Sequence, residues 1–421
     1  MKFQAPRGTR DLFGQPAQKL NTLVTIARNF FALYNYQEII LPIFEDARLF
    51  IRSIGETTDI VEKEMYTFTD RKGRQLALRP EGTAGVIRAY LENNLAQHSV
   101  RQKFFYCGAM FRYERPQAGR YRQFYQIGAE YIGNPTPVAD AEIILLASDI
   151  LQAIGIKGPV IELNSLGCSQ CRPNYRQALI NYLTGIKNSL CDDCQQRLEK
   201  NPLRILDCKI DSPKLKNIPR PYDYLCEQCR EKFTQLQQIL KESQSSFTIN
   251  HRLVRGLDYY TGAVFEIIAA STGSSDALAA GGRYDNLVEE LGGRPTPAVG
   301  FALGAERVLS ALSDDKKIST GSGSLFYIAY TGSKFSQSAF NLATNIRHSG
   351  YPAEIGQPDK NLSDQLRLAN KLKATIAVII ADEEYSRGQL IWRDLNSGHQ
   401  EIISSTALLE KIKSVTKITK I

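Results

Sequence analysis

The sequence predicts a multidomain α+β protein with a large discontinuous domain, a helical insertion and a C-terminal α/β domain. Strand-like and helix-like segments with hairpin-like adjacency occupy residues 1–158 and 248–312, which favours a mainly antiparallel sheet with flanking helices. Between these two stretches, residues 159–247 are rich in Asn, Gln and Lys and hold seven of the eight cysteines. After residue 324 helices and strands alternate, which favours a mainly parallel sheet.

Amphipathic segments predict the helices of the large domain. Apolar side chains recur at helical spacing over residues 17–35, and a short β-prone run follows at residues 38–41. A second helix is predicted over residues 82–95, with Thr83 as a candidate N-cap. Residues 138–154 predict a third helix, which Gly155 ends because glycine readily adopts the left-handed conformation of a helix C-terminus.

The C-terminal part changes character twice. Residues 313–324 are rich in Ser, Gly and charge, and this composition predicts a flexible linker. Residues 325–421 then predict the small α/β domain. Its expected elements are the strand LFYIAY, helices over residues 336–348 and 362–372, the buried strand TIAVIIA, and the strands QLIWRDL and QEIIS.

Composition narrows the class of protein. With 52 Lys plus Arg against 44 Asp plus Glu, the formal net charge is +8, which favours a polyanionic partner such as a nucleic acid. The longest apolar runs fall well short of the ~20 residues of a membrane span, and the first ten residues contain no hydrophobic signal core. We therefore expect a cytoplasmic protein with no membrane association.

Three distant segments predict one binding site. Residues 111–130, 253–266 and 300–308 each place arginines beside glycines and aromatic residues, which suits an anionic, planar ligand. We read the first segment as two extended runs, FRYE and QFYQIGAE, joined by a basic turn. Because strand side chains alternate, Phe124, Gln126, Gly128 and Glu130 should share a face. The alternative is a solvated sheet face, which Phe and Gly serve poorly.

These segments resemble the motifs of class II aminoacyl-tRNA synthetases. FRYE resembles the motif 2 strand, GFALGAER resembles motif 3, and Leu41 and Pro42 resemble motif 1, which builds the dimer interface in that class. LVRGLDYYTG, ALRPEGTAG and AAGGRYD narrow the resemblance to the histidyl-tRNA synthetase family of bacterial type. The resemblance implies a six-stranded-type catalytic sheet and an anticodon-binding C-terminal domain.

The resemblance also implies an activity. A family member attaches L-histidine to tRNA(His) through a histidyl-adenylate, releasing AMP and pyrophosphate, with Mg²⁺ expected alongside ATP and a homodimer as the assembly. Two alternatives remain open at the level of sequence. One is a non-catalytic, synthetase-like regulatory subunit of histidine biosynthesis, and the other is a related synthetase for another amino acid.

The family's roles carry over to matching positions of this sequence. Arg112 and Arg255 would be catalytic, and Arg112, Glu114, Phe124 and Arg307 would bind ATP. Histidine would be held by Glu81, Gly82, Thr83, Gln126, Glu130, Tyr259 and Tyr260. Arg115, Gln117 and Arg120 would meet the tRNA. The chain contains no GxxxxGK[ST] loop, so side-chain arginines are the expected phosphate ligands.

Some of these assignments have a structural alternative. Arg255 would instead form a salt bridge, with Asp258 as the nearest candidate in sequence. Tyr259 and Tyr260 would point to opposite faces of an extended strand, which would leave one of them in the core.

The cysteines form three CxxC pairs, with Cys208 between the last two pairs. The first two pairs, Cys168/Cys171 and Cys191/Cys194, are separated by a spacing that is typical of zinc sites. A reducing compartment argues against disulfides. Two interpretations remain: a zinc site built by these four residues, or free and partly buried thiols.

Overall fold

The computed structural model describes residues 3–116, 119–269, 277–312 and 325–415. The chain divides into two compact units, residues 1–318 and residues 319–421. The predicted linker at 313–324 lies outside the described residues. No helix in the described ranges is both long enough and apolar enough to cross a membrane.

The first unit contains strands and helices in mixed order. Its strands are β1 (Gln37–Glu38), β2 (Phe44–Asp46), β3 (Thr67–Thr69), β4 (Gln75–Leu78), β5 (Gln102–Phe111), β6 (Gln123–Ile132), β7 (Pro159–Ser165), β8 (Phe247–Ile249), β9 (Thr261–Ala269), β10 (Ala279–Arg283) and β11 (Ala298–Gly304). Its helices are α1 (Gln15–Leu33), α2 (Ala47–Ile54), α3 (Thr83–Glu92), α4 (Pro137–Ile154), α5 (Arg172–Gly185), α6 (Asp192–Lys200), α7 (Glu227–Glu242), α8 (Leu287–Glu290) and α9 (Ala305–Ala311).

The main sheet has the strand order β1-β5-β6-β11-β10-β9-β7-β8. The six strands from β5 to β7 in this order pair antiparallel, and the short strands β1 and β8 add parallel edges. The prediction of a mainly antiparallel sheet is therefore confirmed, in an eight-stranded form. Strands β2, β4 and β3 form a separate antiparallel sheet.

The two faces of the main sheet serve different purposes. On strand β6, Ile127 and Ala129 point toward a core that α1, α4 and α7 complete, and both side chains are almost fully buried. The alternating residues Gln126, Gly128 and Glu130 point to the opposite face. A mainly apolar face thus anchors the sheet to its helices and leaves the other face for polar chemistry.

Three helices of this unit match the segments predicted for them. Helix α1 covers the first apolar repeat, α3 covers the second, and α4 ends at Ile154. Gly155 follows with φ +110°, in the left-handed region that favours glycine.

The prediction that FRYE forms the outgoing strand is wrong for most of its length. Strand β5 ends at Phe111, because the chain diverges from its partner soon afterward. The N–H of Arg112 still donates to the Arg122 carbonyl at 2.9 Å, but the N–H of Tyr113 donates to the Glu64 carbonyl at 2.7 Å. The strand itself is the preceding run QKFFYCGAMF.

The insertion begins later than residue 159. Residues 159–165 are β7, whose seven positions pair with β9, so they belong to the main sheet. At the other end, β8 starts at Phe247 and pairs with β7. The segment that lies outside the sheet is therefore residues 166–246, with α5, α6 and α7.

The second unit consists of β12 (Phe326–Tyr330), α10 (Ser336–His348), β13 (Ala353–Ile355), α11 (Leu362–Lys371), β14 (Ile376–Ile380), α12 (Asp382–Ser386), β15 (Gln389–Asp394), β16 (Gln400–Ser404) and α13 (Leu408–Val415). The sheet order is β13-β12-β14-β15-β16. The α/β prediction is correct, but the sheet is mixed rather than mainly parallel. Strands β14, β15 and β16 pair antiparallel because the connections between them are too short for a parallel crossover.

Candidate active site

A cavity of about 440 Å³ opens on the polar face of the main sheet. Its walls come from the three predicted segments, from the N-terminus of α3 and from the insertion. Eleven of the predicted residues line it: Glu81, Thr83, Arg112, Glu114, Arg120, Phe124, Gln126, Arg255, Tyr259, Tyr260 and Arg307. Predicted residues as far apart in the chain as Glu81 and Arg307 thus meet in one concave site.

One end of the cavity combines arginines with a flat ring. The guanidinium of Arg112 lies 5.5 Å from the centroid of the Phe124 ring and donates from Nε to the Pro80 carbonyl at 2.9 Å. Glu114 lies 3.6 Å from Arg120 and 4.0 Å from Arg112, measured between charged atoms. This end therefore offers positive charge for phosphates beside an aromatic surface for a planar base.

Arg255 is a further cation in the cavity lining. Its Nη1 forms an ion pair with the carboxylate of Glu266 on β9, and both side chains are partly buried. The partner is therefore Glu266, and the predicted alternative partner, Asp258, instead accepts a hydrogen bond from Asn201 at 3.0 Å. Burial raises the pKa of Glu266, while the charge of Arg255 lowers it.

Arg307 marks the third cationic position. It follows the end of β11 in helix α9, and its Nη1 donates to the Ala277 carbonyl at 3.3 Å. A Cβ at Gly304 would lie in ordinary contact with the Arg307 side chain, so the aliphatic part of that side chain packs over the turn at Gly304.

Two buried carboxylates stand at the base of the cavity: Glu81 in its lining and Glu130 behind the lining. Glu81 accepts the N–H groups of Thr83 and Ala84, at 2.6 and 2.9 Å, and so caps α3 from outside the helix. Thr83 is thus not the cap, and its hydroxyl donates to Glu130 at 2.7 Å. Burial raises the pKa of Glu81 against these hydrogen bonds.

Glu130 is fully buried and lies behind the cavity wall rather than in it. Tyr284 donates its hydroxyl to one carboxylate oxygen, and Thr83 donates to the other. Burial raises the pKa of Glu130 to about 8. A Cβ at Gly300 would overlap this carboxylate. The first glycine of the GFALGAER segment is therefore required for strand β11 to lie this close to Glu130.

Both tyrosines of the LVRGLDYYTG segment line the cavity. Their ring centroids are 4.7 Å apart, and both side chains are buried. The expectation that one of them belongs to the core alone is wrong, because residues 258–259 form a turn and β9 begins only at Thr261. Burial raises the pKa of Tyr260 to about 12.

Several buried polar atoms of the cavity lining have no hydrogen-bond partner among the described residues, and the Tyr106 hydroxyl is one of them. Two others are the side-chain carbonyl oxygen Oε1 of Gln126 and the guanidinium Nε of Arg255. Buried polar groups in native proteins are nearly always satisfied by protein or by a bound molecule. These two atoms therefore indicate where a polar ligand would bind.

Comparison with known proteins identifies the family. Residues 8–178 and 198–308 match the family described as histidyl-tRNA synthetase, and residues 326–415 match an anticodon binding domain. The chain belongs to the histidyl-tRNA synthetase family. The class II synthetase fold predicted from the sequence is therefore confirmed.

Relatives named histidine–tRNA ligase align along nearly the whole chain. The protein from Endomicrobium trichonymphae is 49% identical over 95% of this chain and 98% of its own length. The protein from Aquifex aeolicus is 48% identical over 97% and 100%. The crystal structure of apo S. aureus histidyl-tRNA synthetase has a TM-score of 0.82 and 33% identity, with 98% and 100% coverage. These matches do not favour the regulatory-subunit alternative.

Four predicted site residues of this synthetase lie outside the cavity lining. Gly82 and Glu130 lie behind the wall, and a Cβ at Gly82 would overlap the Tyr106 ring. Arg115 is exposed. Gln117 lies outside the described residues. The assigned roles of these residues remain predictions.

Sequence reasoning missed several residues of the cavity wall. Tyr106 pairs with Gly128 across β5 and β6, and a Cβ at Gly128 would overlap its ring. A glycine paired with an aromatic residue on the neighbouring strand was the signal that could have identified Tyr106, once the strand register was known. The insertion contributes Arg204, which is held 3.1 Å from Asp59, and no sequence motif marked it.

The predicted zinc quartet is wrong in its pairing. Cys168 and Cys171 lie with Cys226 and Cys229, whereas Cys191 and Cys194 lie with Cys208 and Asp211. The first two CxxC pairs therefore belong to different clusters. The reason is that α5 and α7 begin side by side, which brings the first and third pairs together.

Proposed function

We propose that the chain catalyses ATP-dependent attachment of L-histidine to tRNA(His) through histidyl-adenylate, releasing AMP and pyrophosphate. The observation that carries the proposal is the convergence of Arg112, Arg255 and Arg307 on one cavity with Phe124 and the buried polar floor. The family membership is consistent with this chemistry, and relatives aligned over nearly the whole chain are named histidine–tRNA ligase.

In the first step the carboxylate of histidine attacks the α-phosphorus of ATP, and the bond to pyrophosphate breaks. The nucleophile is already an anion, so the protein must supply placement and charge neutralisation rather than a strong base. In the proposal Arg112 and Arg255 stabilise the charge that develops at the α-phosphate. Phe124 and Glu114 hold adenine, and Arg307 holds the far phosphates.

The amino acid would be bound on the floor of the cavity. Glu81, Thr83 and Gln126 would take the α-ammonium group, because each offers an oxygen acceptor at this place. Tyr259, Tyr260 and Glu130 would recognise the imidazole, with Gly82 permitting the close packing beneath it. Since Glu130 lies behind Thr83 and Tyr284, its influence on the ligand would pass through their hydroxyls unless the ligand displaces them.

Mg²⁺ would enter with the triphosphate. Glu306 lines the cavity, and carboxylates together with substrate phosphates are the ligands that Mg²⁺ takes in such sites. The ion would supply additional charge neutralisation. Arg115, Gln117 and Arg120 would contact the acceptor end of tRNA, and the C-terminal unit would bind the anticodon.

We also propose a homodimer that acts in the cytoplasm. Support for the dimer comes from the segment that resembles motif 1, where Ile40, Ile43 and Phe44 are 90%, 50% and 53% exposed. Phe68 lies 6.2 Å from Phe44 between ring centroids and extends this apolar surface. Contiguous apolar surface of this kind commonly marks a protein interface.

The test of the activity is histidine-dependent exchange of pyrophosphate into ATP by the purified chain. Exchange that requires histidine, followed by charging of tRNA(His), is the expected result. Exchange that proceeds equally well with glutamine or arginine would reject the assignment of the amino acid. Absence of exchange with every amino acid would favour a non-catalytic role.

A further inference from the structure

The insertion brings together four cysteines at the beginnings of two helices. Cys168 and Cys171 precede α5, which has 14 residues, while Cys226 and Cys229 stand at the start of α7, which has 16 residues. Their four sulfur atoms all lie within 4.8 Å of one another. None of the four takes part in the reaction proposed above.

The sulfur geometry matches a tetrahedral metal site. Zn–S bonds of ~2.3 Å in a regular tetrahedron place neighbouring sulfurs about 3.8 Å apart. The Sγ atom of Cys168 lies 3.6 Å from that of Cys171 and 3.9 Å from that of Cys226. A disulfide would require a separation of about 2.05 Å, so these sulfurs are spaced for a shared ion rather than for a covalent bond.

The backbone around the cysteines repeats the same local structure twice. The N–H of Arg172 donates to the Cys168 carbonyl at 3.0 Å, and the N–H of Arg230 donates to the Cys226 carbonyl at 3.0 Å. In the first pair, the N–H of Cys168 also donates to the Cys171 sulfur at 3.1 Å. Two C-x-x-C-R turns with the same backbone hydrogen bond therefore lie together, and the helix N-termini that follow them favour thiolate charge.

Gly167 permits the first of these turns. It has φ +70°, and a Cβ there would lie 2.5 Å from the Cys171 sulfur. Any other residue would therefore be strained and would crowd a ligand atom.

We propose that Cys168, Cys171, Cys226 and Cys229 bind one structural zinc ion. Four thiolates in a closed tetrahedral set select zinc and leave no coordination position for substrate. The ion would link the beginning of α7 to the segment that follows β7, and would so hold the insertion in contact with the main sheet.

The other cluster differs in its ligand set. The Asp211 carboxylate accepts the N–H of Cys191 at 2.9 Å and forms an ion pair with Lys214 at 2.7 Å. An internal cation already balances this carboxylate, so the proposal concerns the tetrathiolate cluster alone.

The zinc site would also stabilise the position of the segment that forms the amino acid pocket. This consequence rests on the proposed function. Arg172, next to Cys171, donates from Nη2 to the Tyr260 carbonyl at 2.6 Å. On the other side of the turn, Leu166 and Gly167 exchange backbone hydrogen bonds with Gly262 at 2.7 and 3.0 Å. The metal-bound turn is therefore bonded directly to the segment that carries Tyr259 and Tyr260.

The test compares metal content in three full-length proteins produced with zinc in the medium. The double variant Cys168→Ser/Cys226→Ser should contain one zinc ion fewer per chain than the parent, measured by elemental analysis. The matched control is Cys107→Ser, which alters a thiol on β5 outside both clusters and should keep the parent's zinc content. Equal zinc in the double variant and the parent would overturn the proposal.

Cobalt provides a measurement that does not depend on folding of the variants. The parent chain, depleted of metal and refilled with Co²⁺, should show the visible bands of tetrahedral cobalt thiolate, and zinc should abolish them. A parent chain with neither zinc nor these bands would overturn the site, and iron in place of zinc would overturn the choice of metal.

The hydrogen bond from Arg172 to the Tyr260 carbonyl links the cysteine turn to the amino acid pocket. This link predicts that Arg172→Ala raises KM for histidine at least several-fold more than KM for ATP. Equal changes in the two KM values would overturn the link.

Discussion

The guanidinium of Arg255 is held in the wall of the cavity by an ion pair with Glu266, which projects from the adjacent strand β9. Nη1 makes this ion pair, while the buried Nε has no hydrogen-bond partner among the described residues. Glu266 therefore orients the arginine without satisfying all of its donors, and the Nε–H group remains for a ligand.

Arg255→Ala should lower the rate of histidine-dependent pyrophosphate exchange by on the order of 100-fold or more, because a preorganised charge near the reacting phosphate is lost. The substitution should also reduce stability, since it leaves the partly buried carboxylate of Glu266 unpaired. Exchange kinetics and thermal unfolding of the same preparation would measure both effects.

A double variant separates these two roles of Arg255. Arg255→Ala/Glu266→Gln removes the unpaired carboxylate, so Tm should recover toward that of the parent while exchange stays slow. Recovery of both Tm and exchange would show that Arg255 acts only by supporting the fold.

Removal of the C-terminal unit should separate activation from charging. A chain that ends at residue 318, where the first compact unit ends, should retain histidine-dependent pyrophosphate exchange. Charging of tRNA(His) should fall by on the order of 100-fold, because two linked binding modules hold one RNA far more tightly than one module does. Unchanged charging by the shortened chain would contradict an anticodon-binding role for residues 325–421.

The exposed apolar surface around Phe44 predicts that a charged side chain introduced there will weaken the dimer. The parent chain should sediment with the mass of a dimer, and Phe44→Asp should shift it toward the monomer because a carboxylate in an apolar interface is costly. Phe340→Asp is the matched control, since Phe340 is equally exposed, at 54%, but lies in the second unit. A parent that sediments as a monomer would refute the dimer.

Local patterns predicted the helices best. The bounds of α4 and α10 followed from strong helical periodicity, and Gly155 gave a stop signal with a clear conformational cause. The FRYE run failed as a strand because its end is set by a tertiary hydrogen bond from Tyr113 to Glu64, which sequence spacing does not reveal.

The sequence predicted which residues belong to the site better than it predicted how they are arranged. Motif resemblance gathered Arg112, Arg255 and Arg307 correctly into one cavity, but it could not show that Glu130 lies behind Thr83. The pairing of the cysteines was equally out of reach. Three CxxC pairs allow several combinations, and the fold selects among them by bringing the N-termini of α5 and α7 together.

The raised pKa of Glu130 predicts a pH-dependent stability. Its value of about 8 in the folded chain, against an ordinary value of 4.5, means that the folded state binds more protons than the unfolded state between these pH values. Stability must therefore fall as pH rises through this window. Relative to Glu130→Gln, which does not titrate, the parent should lose up to about 1.4 kcal/mol per pH unit.

Urea unfolding of the parent and of Glu130→Gln at several values between pH 5 and pH 8 would measure this difference. The two free energies of unfolding should diverge as pH rises, with the parent becoming relatively less stable. Parallel curves would show that the Glu130 carboxyl titrates at the same pH in both folded and unfolded chains.

The same residue gives the sharpest prediction about specificity. Glu130 is proposed to support recognition of the imidazole, either directly or through Thr83 and Tyr284. Substitution of Glu130 should then weaken the binding of histidine more than the binding of ATP. Glu130→Gln keeps the size of the side chain but adds donors where Thr83 and Tyr284 already donate. It should therefore raise KM for histidine much more than KM for ATP, and Glu130→Ala should raise it further.

Competing amino acids supply the control for this prediction. A site with buried polar groups matched to one ligand discriminates by roughly 10⁴ or more against a ligand that leaves those groups unpaired. Glutamine, lysine and arginine should therefore remain poor substrates of the parent in pyrophosphate exchange. If both Glu130 variants changed KM for histidine and ATP equally, the carboxylate would serve the fold alone, and recognition of the ring would have to rest on Tyr259 and Tyr260.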